Sequence, residues 1–181
     1  MAPQAFALFD TPIGTCGVAW NKNGIAGMQL TAGTVGKTRA HAAKRWPSAV
    51  EAPPPPGVQR ALERVLSLLS GAKDDLADLP LDLEDAPDFQ RKVWDVARAV
   101  PPGQTITYGE IGKRLGVGPE RAREIGQAMG SNPIPIIVPC HRVLAASGKM
   151  GGFSAPGGVA TKRRMLEIEG AAAVGAGPLF G

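Results

Sequence analysis

The sequence predicts an α+β protein, with a small β-rich first unit and a mainly helical second one. Three observations carry this prediction. Strand-like segments separated by turn residues crowd residues 5–30. Helical periodicity with recognisable caps dominates from residue 88 onward. Between them lie a proline run and an acidic stretch, which place the boundary near residue 86 and divide the chain into units 1–86 and 87–181.

In the first unit, AFALF, TCGVAW and GIAGMQL read as strands, with DTPIG and NKNG as the turns between them. KTRAHAAKRW, residues 37–46, reads as a helix. The run Pro53 to Pro56 reads as a stiff extended connector, unable to be helix or central strand. In VQRALERVLSLLSG the apolar residues Val58, Leu62, Val65, Leu66 and Leu69 recur at helical spacing, and Gly71 ends the segment. The acidic stretch DDLADLPLDLEDAPD then links the two units.

The second unit opens with Asp88 as a helix cap. Phe89, Val93, Trp94, Val96, Ala97 and Val100 form one broad helical face, which Pro101 and Pro102 terminate. Thr107 to Glu110 match a capping box, and the helix they open runs to Leu115 and stops at Gly116. Pro119 suits the first position of another helix, PERAREIGQAM, ended by Gly130. Two short helices joined by a tight glycine-containing turn are the helix-turn-helix pattern of DNA-binding proteins, and also the pattern of a helical hairpin that only fills a core. Ala122, Gly126 and Gly130 recur every fourth residue, so one face of the second helix is nearly bare. Glycine inside a helix costs up to about 1 kcal/mol against alanine, so the bare face needs a reason. Close packing on a neighbouring element is one; close approach to DNA, even in the narrow minor groove, is the other. Arg121 and Arg123 flank this face.

Composition narrows the function classes. With 181 residues and 44% hydrophobic residues the chain can bury a core, and 24 Gly with 17 Pro predict many turns. No apolar run is long enough to span a bilayer, and MAPQAFALFDTPIG lacks the basic start and long apolar stretch of a signal peptide, so a cytoplasmic protein with no membrane partner is expected. A reducing compartment argues against pairing the two cysteines, and Cys16 in TCGVAW reads as a small buried hydrophobe. With only His41 and His141, and no Cys-x-x-Cys spacing, a closed zinc site is not expected. The net charge is +4, unevenly spread: residues 1–87 hold 8 Lys+Arg against 9 Asp+Glu, and residues 88–181 hold 12 against 7. The excess belongs to the second half, as a nucleic-acid surface or a solvated basic face requires.

The stretch NPIPIIVPCHRVLAASG puts Cys140 between Pro139 and His141, after an apolar run, Ile134 to Val138, that reads as a buried strand. A thiol becomes a nucleophile as the thiolate, and an imidazole can promote that form. On a strand the two side chains would point to opposite faces, whereas a tight turn lets them converge directly or through a water. A buried structural cysteine beside a satisfied histidine is the other reading of the pair.

NPIPIIVPCHRV resembles the active-site motif of the O6-alkylguanine-DNA alkyltransferases, whose core is Pro-Cys-His-Arg-Val. The resemblance covers residues 88–170 through FQRKVW, VPPGQTITYGEIG, RAREIGQAMGSNPIPIIVPCHRV, GKMGGF and KRRMLEIEG, and the early TPIG matches the opening of that family's first domain. It implies an RNase H-like first domain and a winged helix-turn-helix-like second domain that carries the active site. It also implies suicidal repair: an O6-alkylguanine, or an O4-alkylthymine, flips out of duplex DNA and its alkyl group passes irreversibly to Cys140. By the same resemblance His141, a water and Glu167 in MLEIEG form the proton relay, with the acid raising the basicity of the imidazole. Arg123 fills the gap left in the base stack, and Tyr108 rotates the nucleotide and contacts the base. Ala122, Gly126 and Arg121 lie along the DNA. Asn132 ties the recognition helix to the cysteine segment. The Val143 carbonyl reads the exocyclic amine, Phe153 walls the pocket, and the backbone near Ser154 stabilises the leaving guanine.

Arg142 is expected to pair with an acid and hold the turn, and Glu124, beside Arg123, is expected to face away from the DNA. Phe153 stands where the family commonly has tyrosine, and the loop at 154–161 is longer than the commonest form. No cofactor and no metal are implied; the partner is double-stranded DNA carrying alkylated bases, met by a monomer. The alternatives are a non-catalytic sensor of alkylated bases, which would lack the reactive cysteine, and a cysteine hydrolase, which would need an oxyanion-hole motif. A transcription-activating form would need a further metal-thiolate domain.

Overall fold

Three strands at the start of the chain, β1 (Ala5–Thr11), β2 (Gly14–Asn21) and β3 (Gly24–Gln29), form an antiparallel meander in which Phe9 faces Cys16 and Val18 faces Met28. All three were legible as strands. These and the other features below belong to a computed structural model that describes residues 1–146 and 158–171. A short fourth strand, β4 (Val50–Glu51), pairs with β1 in parallel, giving the sheet order β3-β2-β1-β4. Helix α1 (Val35–Arg45) crosses from β3 to β4 and starts where the Thr34 hydroxyl accepts a hydrogen bond from the Lys37 N–H at 3.1 Å. It seats Thr38 and Ala42 on the sheet, where Ala42 joins Phe6, Ala19 and Trp46 in a small apolar cluster.

Helix α2 (Pro56–Leu69) corrects the reading of the proline run. Pro55 caps the helix and Pro56 is its first residue. A proline costs nothing there, because a first-turn N–H has no partner within the helix and the ring already holds φ near the helical value. The acidic stretch beyond α2 is stitched down rather than free. The Arg64 guanidinium donates to both Asp74 (2.7 and 2.8 Å) and Asp78 (2.8 and 3.0 Å), the Asn21 amide donates to Asp82 at 2.7 Å, and Leu81 bridges to Ile25.

Helix α3 (Asp88–Arg98) is capped by Pro87, so Asp88 is its first residue rather than its cap; its carboxylate pairs with Lys92 at 3.1 Å. A two-residue strand, β5 (Ile106–Thr107), leads into α4 (Tyr108–Leu115), whose cap is as expected: the Thr107 hydroxyl accepts from the Glu110 N–H at 3.1 Å. Gly116 ends the helix with φ of 71°, a left-handed conformation that glycine adopts without steric cost. The next helix begins as a 3-10 turn (Pro119–Arg121) and continues as α5 (Ala122–Gly130). A second 3-10 turn (Cys140–Arg142) leads into β6 (Val143–Leu144), which pairs with β5 in parallel, and α6 (Gly158–Ile168) packs on that turn.

One continuous apolar core runs through both halves, from Val18, Met28 and Leu62 to Trp94, Ile134, Val138 and Cys140. Polar ties accompany it. The Pro133 carbonyl accepts both the Met28 N–H and an Arg45 guanidinium N–H, each at 2.9 Å, and Arg45 also donates to the Met28 carbonyl at 2.6 Å. The first half therefore grips the segment immediately ahead of Cys140. No described helix is long and apolar enough to cross a membrane.

Candidate active site

The segment ahead of the cysteine is buried, as expected, but it is not a strand. Residues 134–140 are all buried, yet Val138 N–H donates to the Ile134 carbonyl at 2.9 Å, and Ile136 takes a φ of 76°. Prolines 133, 135 and 139 explain the difference, since none can donate to a strand ladder. A β-branched residue at positive φ is strained by about 1–3 kcal/mol and persists only where its surroundings fix it. Asn132 supplies part of that fixing. Its side-chain oxygen accepts from the Ile134 N–H at 2.9 Å, and its amide donates to the Val138 carbonyl at 2.8 Å.

This compact turn delivers Cys140 into the 3-10 turn Cys140–Arg142, in which Cys140, His141 and Arg142 are all buried. Burial pushes the Cys140 thiol above the usual cysteine range. The Asn132 amide, the Lys162 charge and the backbone N–H groups of Cys140 and His141 pull the other way. The resting sulfur is therefore a thiol, held in surroundings that favour the anion once its proton has gone. Burial also pushes the His141 imidazole below its ordinary range, with Arg142 and Lys162 adding to the effect and Glu169 opposing it, so His141 is neutral and able to accept a proton.

The acid beside that histidine is Glu169, not Glu167. Glu169 Oε1 lies 2.7 Å from His141 Nε2, and the same carboxylate accepts from Arg142 at 2.7 and 2.9 Å, whereas Glu167 is exposed. Burial raises the Glu169 carboxyl, but the His141 and Arg142 interactions outweigh it and hold it at about 2. An ionised Glu169 can only accept, so it takes the Nε2–H of His141 and leaves the Nδ1 lone pair as the basic atom. That Nδ1 is buried and has no hydrogen-bond partner among the described residues. Arg142 also donates to the Val100 carbonyl, just beyond α3, at 2.8 Å, and together with its pairing to Glu169 this matches its reading as a residue that binds an acid and holds the turn.

A signal for Glu169 was present in the sequence. Lys162, Met165, Leu166 and Glu169 follow the i, i+3, i+4, i+7 spacing of one helical stripe, and all four are buried; Glu167 points the other way. Lys162 was also missed. Only 1% exposed, it donates to the Val143 carbonyl at 2.7 Å, and burial lowers its ammonium against the opposing influence of Cys140. Tyr108, at the start of α4, is half-buried; its hydroxyl is raised by burial and then by the nearby Cys140.

Helix α5 buries Ile125, Ala128 and Met129, and the Ala128 carbonyl accepts the Trp94 indole N–H at 2.8 Å. The opposite side carries the bare stripe: Ala122, Arg123 and Gly130 are exposed and Gly126 is partly so. Among the described residues, a Cβ placed on Gly126 or Gly130 would meet nothing within 4 Å, so packing on a described neighbouring element does not account for the glycine at 126. Arg121 is already engaged. Its guanidinium lies 3.8 Å from the centre of the Phe89 ring and makes two hydrogen bonds to Glu124, at 2.7 and 3.0 Å. The charge of Glu124 is thus taken up by Arg121, leaving Arg123 the outward-facing arginine of the stripe. Phe153 and Ser154 lie outside the described residues.

Residues 88–171 match the family described as 6-O-methylguanine DNA methyltransferase, DNA binding domain. Over 164 residues the chain is 36% identical to the methylated-DNA--protein-cysteine methyltransferase of Mycobacterium tuberculosis (strain H37Rv), an alignment covering 91% of each chain. A protein of the same name from Methanothermobacter thermautotrophicus is 33% identical over 159 residues, covering 88% of this chain and 81% of that one. Among solved structures, the chain is similar to the crystal structure of Mycobacterium tuberculosis OGT in complex with DNA, with a TM-score of 0.70 and 34% identity over 98% of this chain and 99% of that one. It is also similar to the O6-methylguanine-DNA methyltransferase of Pyrococcus kodakaraensis strain KOD1, with a TM-score of 0.66 and 27% identity over 91% of this chain and 99% of that one.

Proposed function

The chain belongs to the methylated-DNA--protein-cysteine methyltransferase family, and on that premise we propose that it repairs O6-alkylguanine in duplex DNA by moving the alkyl group onto its own Cys140, once and irreversibly. The observation that carries this is the buried turn in which Cys140 adjoins a neutral His141 whose Nε2 is fixed on Glu169. The Cys140 proton passes to His141 Nδ1, directly or through a water. The sulfur then attacks the alkyl carbon from the side opposite O6. As the S–C bond forms the C–O6 bond breaks, its electron pair stays on the guanine, and the Tyr108 hydroxyl donates toward the developing charge. The product is a thioether, which has no good leaving group, so each molecule acts once.

The target base is flipped out of the stack. Arg123 fills the space it leaves, and the bare face Ala122–Gly126–Gly130 lets α5 approach the groove floor. Arg121 lies along the DNA beside this face, its guanidinium steadied over Phe89 and next to Glu124. Asn132 holds the cysteine segment, the Val143 carbonyl reads the exocyclic amine, and Phe153 with Ser154 completes the pocket. The first unit, 1–86, is an RNase H-like support, in keeping with the β3-β2-β1-β4 order and its parallel fourth strand; unit 87–181 is a winged helix-turn-helix domain. The protein acts as a monomer in the cytoplasm, on the nucleoid when bound to DNA.

The test is intact and peptide mass spectrometry after mixing with duplex DNA carrying one O6-methylguanine. One added methyl on the Cys140 peptide, saturating at one per protein, is the expected result; binding without modification would point to a sensor instead. The bare face has its own test. Gly126→Ala removes an unfavourable helix residue where there is room for a methyl group, so it should gain up to about 1 kcal/mol and raise Tm by about 2–4 °C. Gly126→Leu should retain the fold but weaken duplex binding about tenfold, a loss of roughly 1.4 kcal/mol, in a fluorescence-anisotropy titration. Undiminished binding by the leucine variant would take α5 off the DNA.

A further inference from the structure

We infer that Lys162 is a positioning residue for the transfer, its buried ammonium holding the Val143 carbonyl in place and biasing Cys140 toward the thiolate; this rests on the reading of Cys140 as the nucleophile. A lysine only 1% exposed is costly to keep charged, so its site must return something for it. Part of the return is the 2.7 Å hydrogen bond to the Val143 carbonyl, the first residue beyond the cysteine turn. A further part is electrostatic. Among the described residues, the ionisable groups sharing this interior are Cys140, His141, Arg142 and Glu169 on and against the turn, with Tyr108 from α4. Glu169 is committed to His141 and Arg142 by hydrogen bonds of 2.7 to 2.9 Å. Cys140 is the group whose charge must change during the reaction, and Lys162 acts on it in the sense opposite to burial. The same ammonium helps to keep His141 neutral, which is the form able to take the thiol proton.

The two parts of this role separate by substitution. Lys162→Gln keeps a donor for the Val143 carbonyl and removes the charge, Lys162→Met removes both, and Lys162→Arg keeps both. The readout is the pH dependence of Cys140 alkylation by iodoacetamide, mapped by peptide mass spectrometry, with thermal melting to confirm folding. In general an opposite charge shifts an ionisable group about 4–6 Å away by about 1–3 pH units, and the low end of that range suffices for the readout. The Gln and Met variants should therefore react about tenfold more slowly at neutral pH and catch up at alkaline pH, with Arg restoring most of the neutral rate. A midpoint that does not move in Lys162→Gln, or a rate lowered equally at every pH, overturns the inference. Iodoacetamide needs no DNA, so this result is readable whether or not the wild type takes a methyl group from O6-methylguanine.

Discussion

The Cys140→Ser variant should transfer no methyl group from O6-methylguanine, while melting close to the wild type and still binding duplex DNA. Serine is nearly isosteric in this buried turn, so packing changes little. A hydroxyl, however, is a far weaker acid than a thiol, and a neutral imidazole at His141 Nδ1 cannot make an alkoxide in a site where burial already resists the anion. Cys16 offers no substitute. It is fully buried in β2 and its thiol is pushed up to about 11, chiefly by burial. Peptide mass spectrometry decides the matter: methyl transfer that survives and maps to Cys16 would remove Cys140 from the chemistry.

Glu169→Ala should be the most destabilising single change at the site, costing about 3–5 kcal/mol, because it leaves the Arg142 guanidinium buried without its carboxylate. Against a typical total of about 5–15 kcal/mol such a loss is large. Glu167→Ala, two residues earlier and exposed, should stay within about 0.5 kcal/mol. Urea melts of the two variants side by side make the comparison, and similar losses would refute the assignment of the acid.

The same carboxylate sets the acid limit of the fold. Its pKa is depressed in the folded protein, so its contribution is complete above the ordinary carboxylate range, near 4, and disappears as the pH falls toward about 2. His141, also depressed, adds an earlier loss below its ordinary value near 6.5, because the unfolded chain takes up the proton more readily there. Glu169→Gln should flatten the lower part of that acid limb.

Local spacing alone was enough for much of this protein. The three strands, the Thr107 cap, the left-handed stop at Gly116 and the buried face of α3 all follow from interactions within a few residues of each other. The bare stripe of α5 was found for the same reason, whereas Cys140 and His141 stood out as neighbours but were read as a reactive pair, with Arg142 bound to an acid, only through the family resemblance. Which acid was a tertiary matter. Glu169 meets His141 and Arg142 across 27 or 28 residues of chain, and only the packing of α6 on the cysteine turn brings them together. The helical stripe Lys162–Met165–Leu166–Glu169 could have separated Glu169 from Glu167, but two buried charges in an apolar stripe read as misplaced until their partners are visible. Likewise, Ile134 to Val138 were rightly taken as buried, yet three prolines and the Asn132 side chain fold them into a turn. The contacts that Arg121 makes with Phe89 and Glu124 were equally invisible in the sequence, because Phe89 comes from a different helix. Short-range periodicity and capping decide which residues form an element and which face is apolar. Which charged group ends up beside which depends on distant segments meeting in the core, where a buried charge requires a partner.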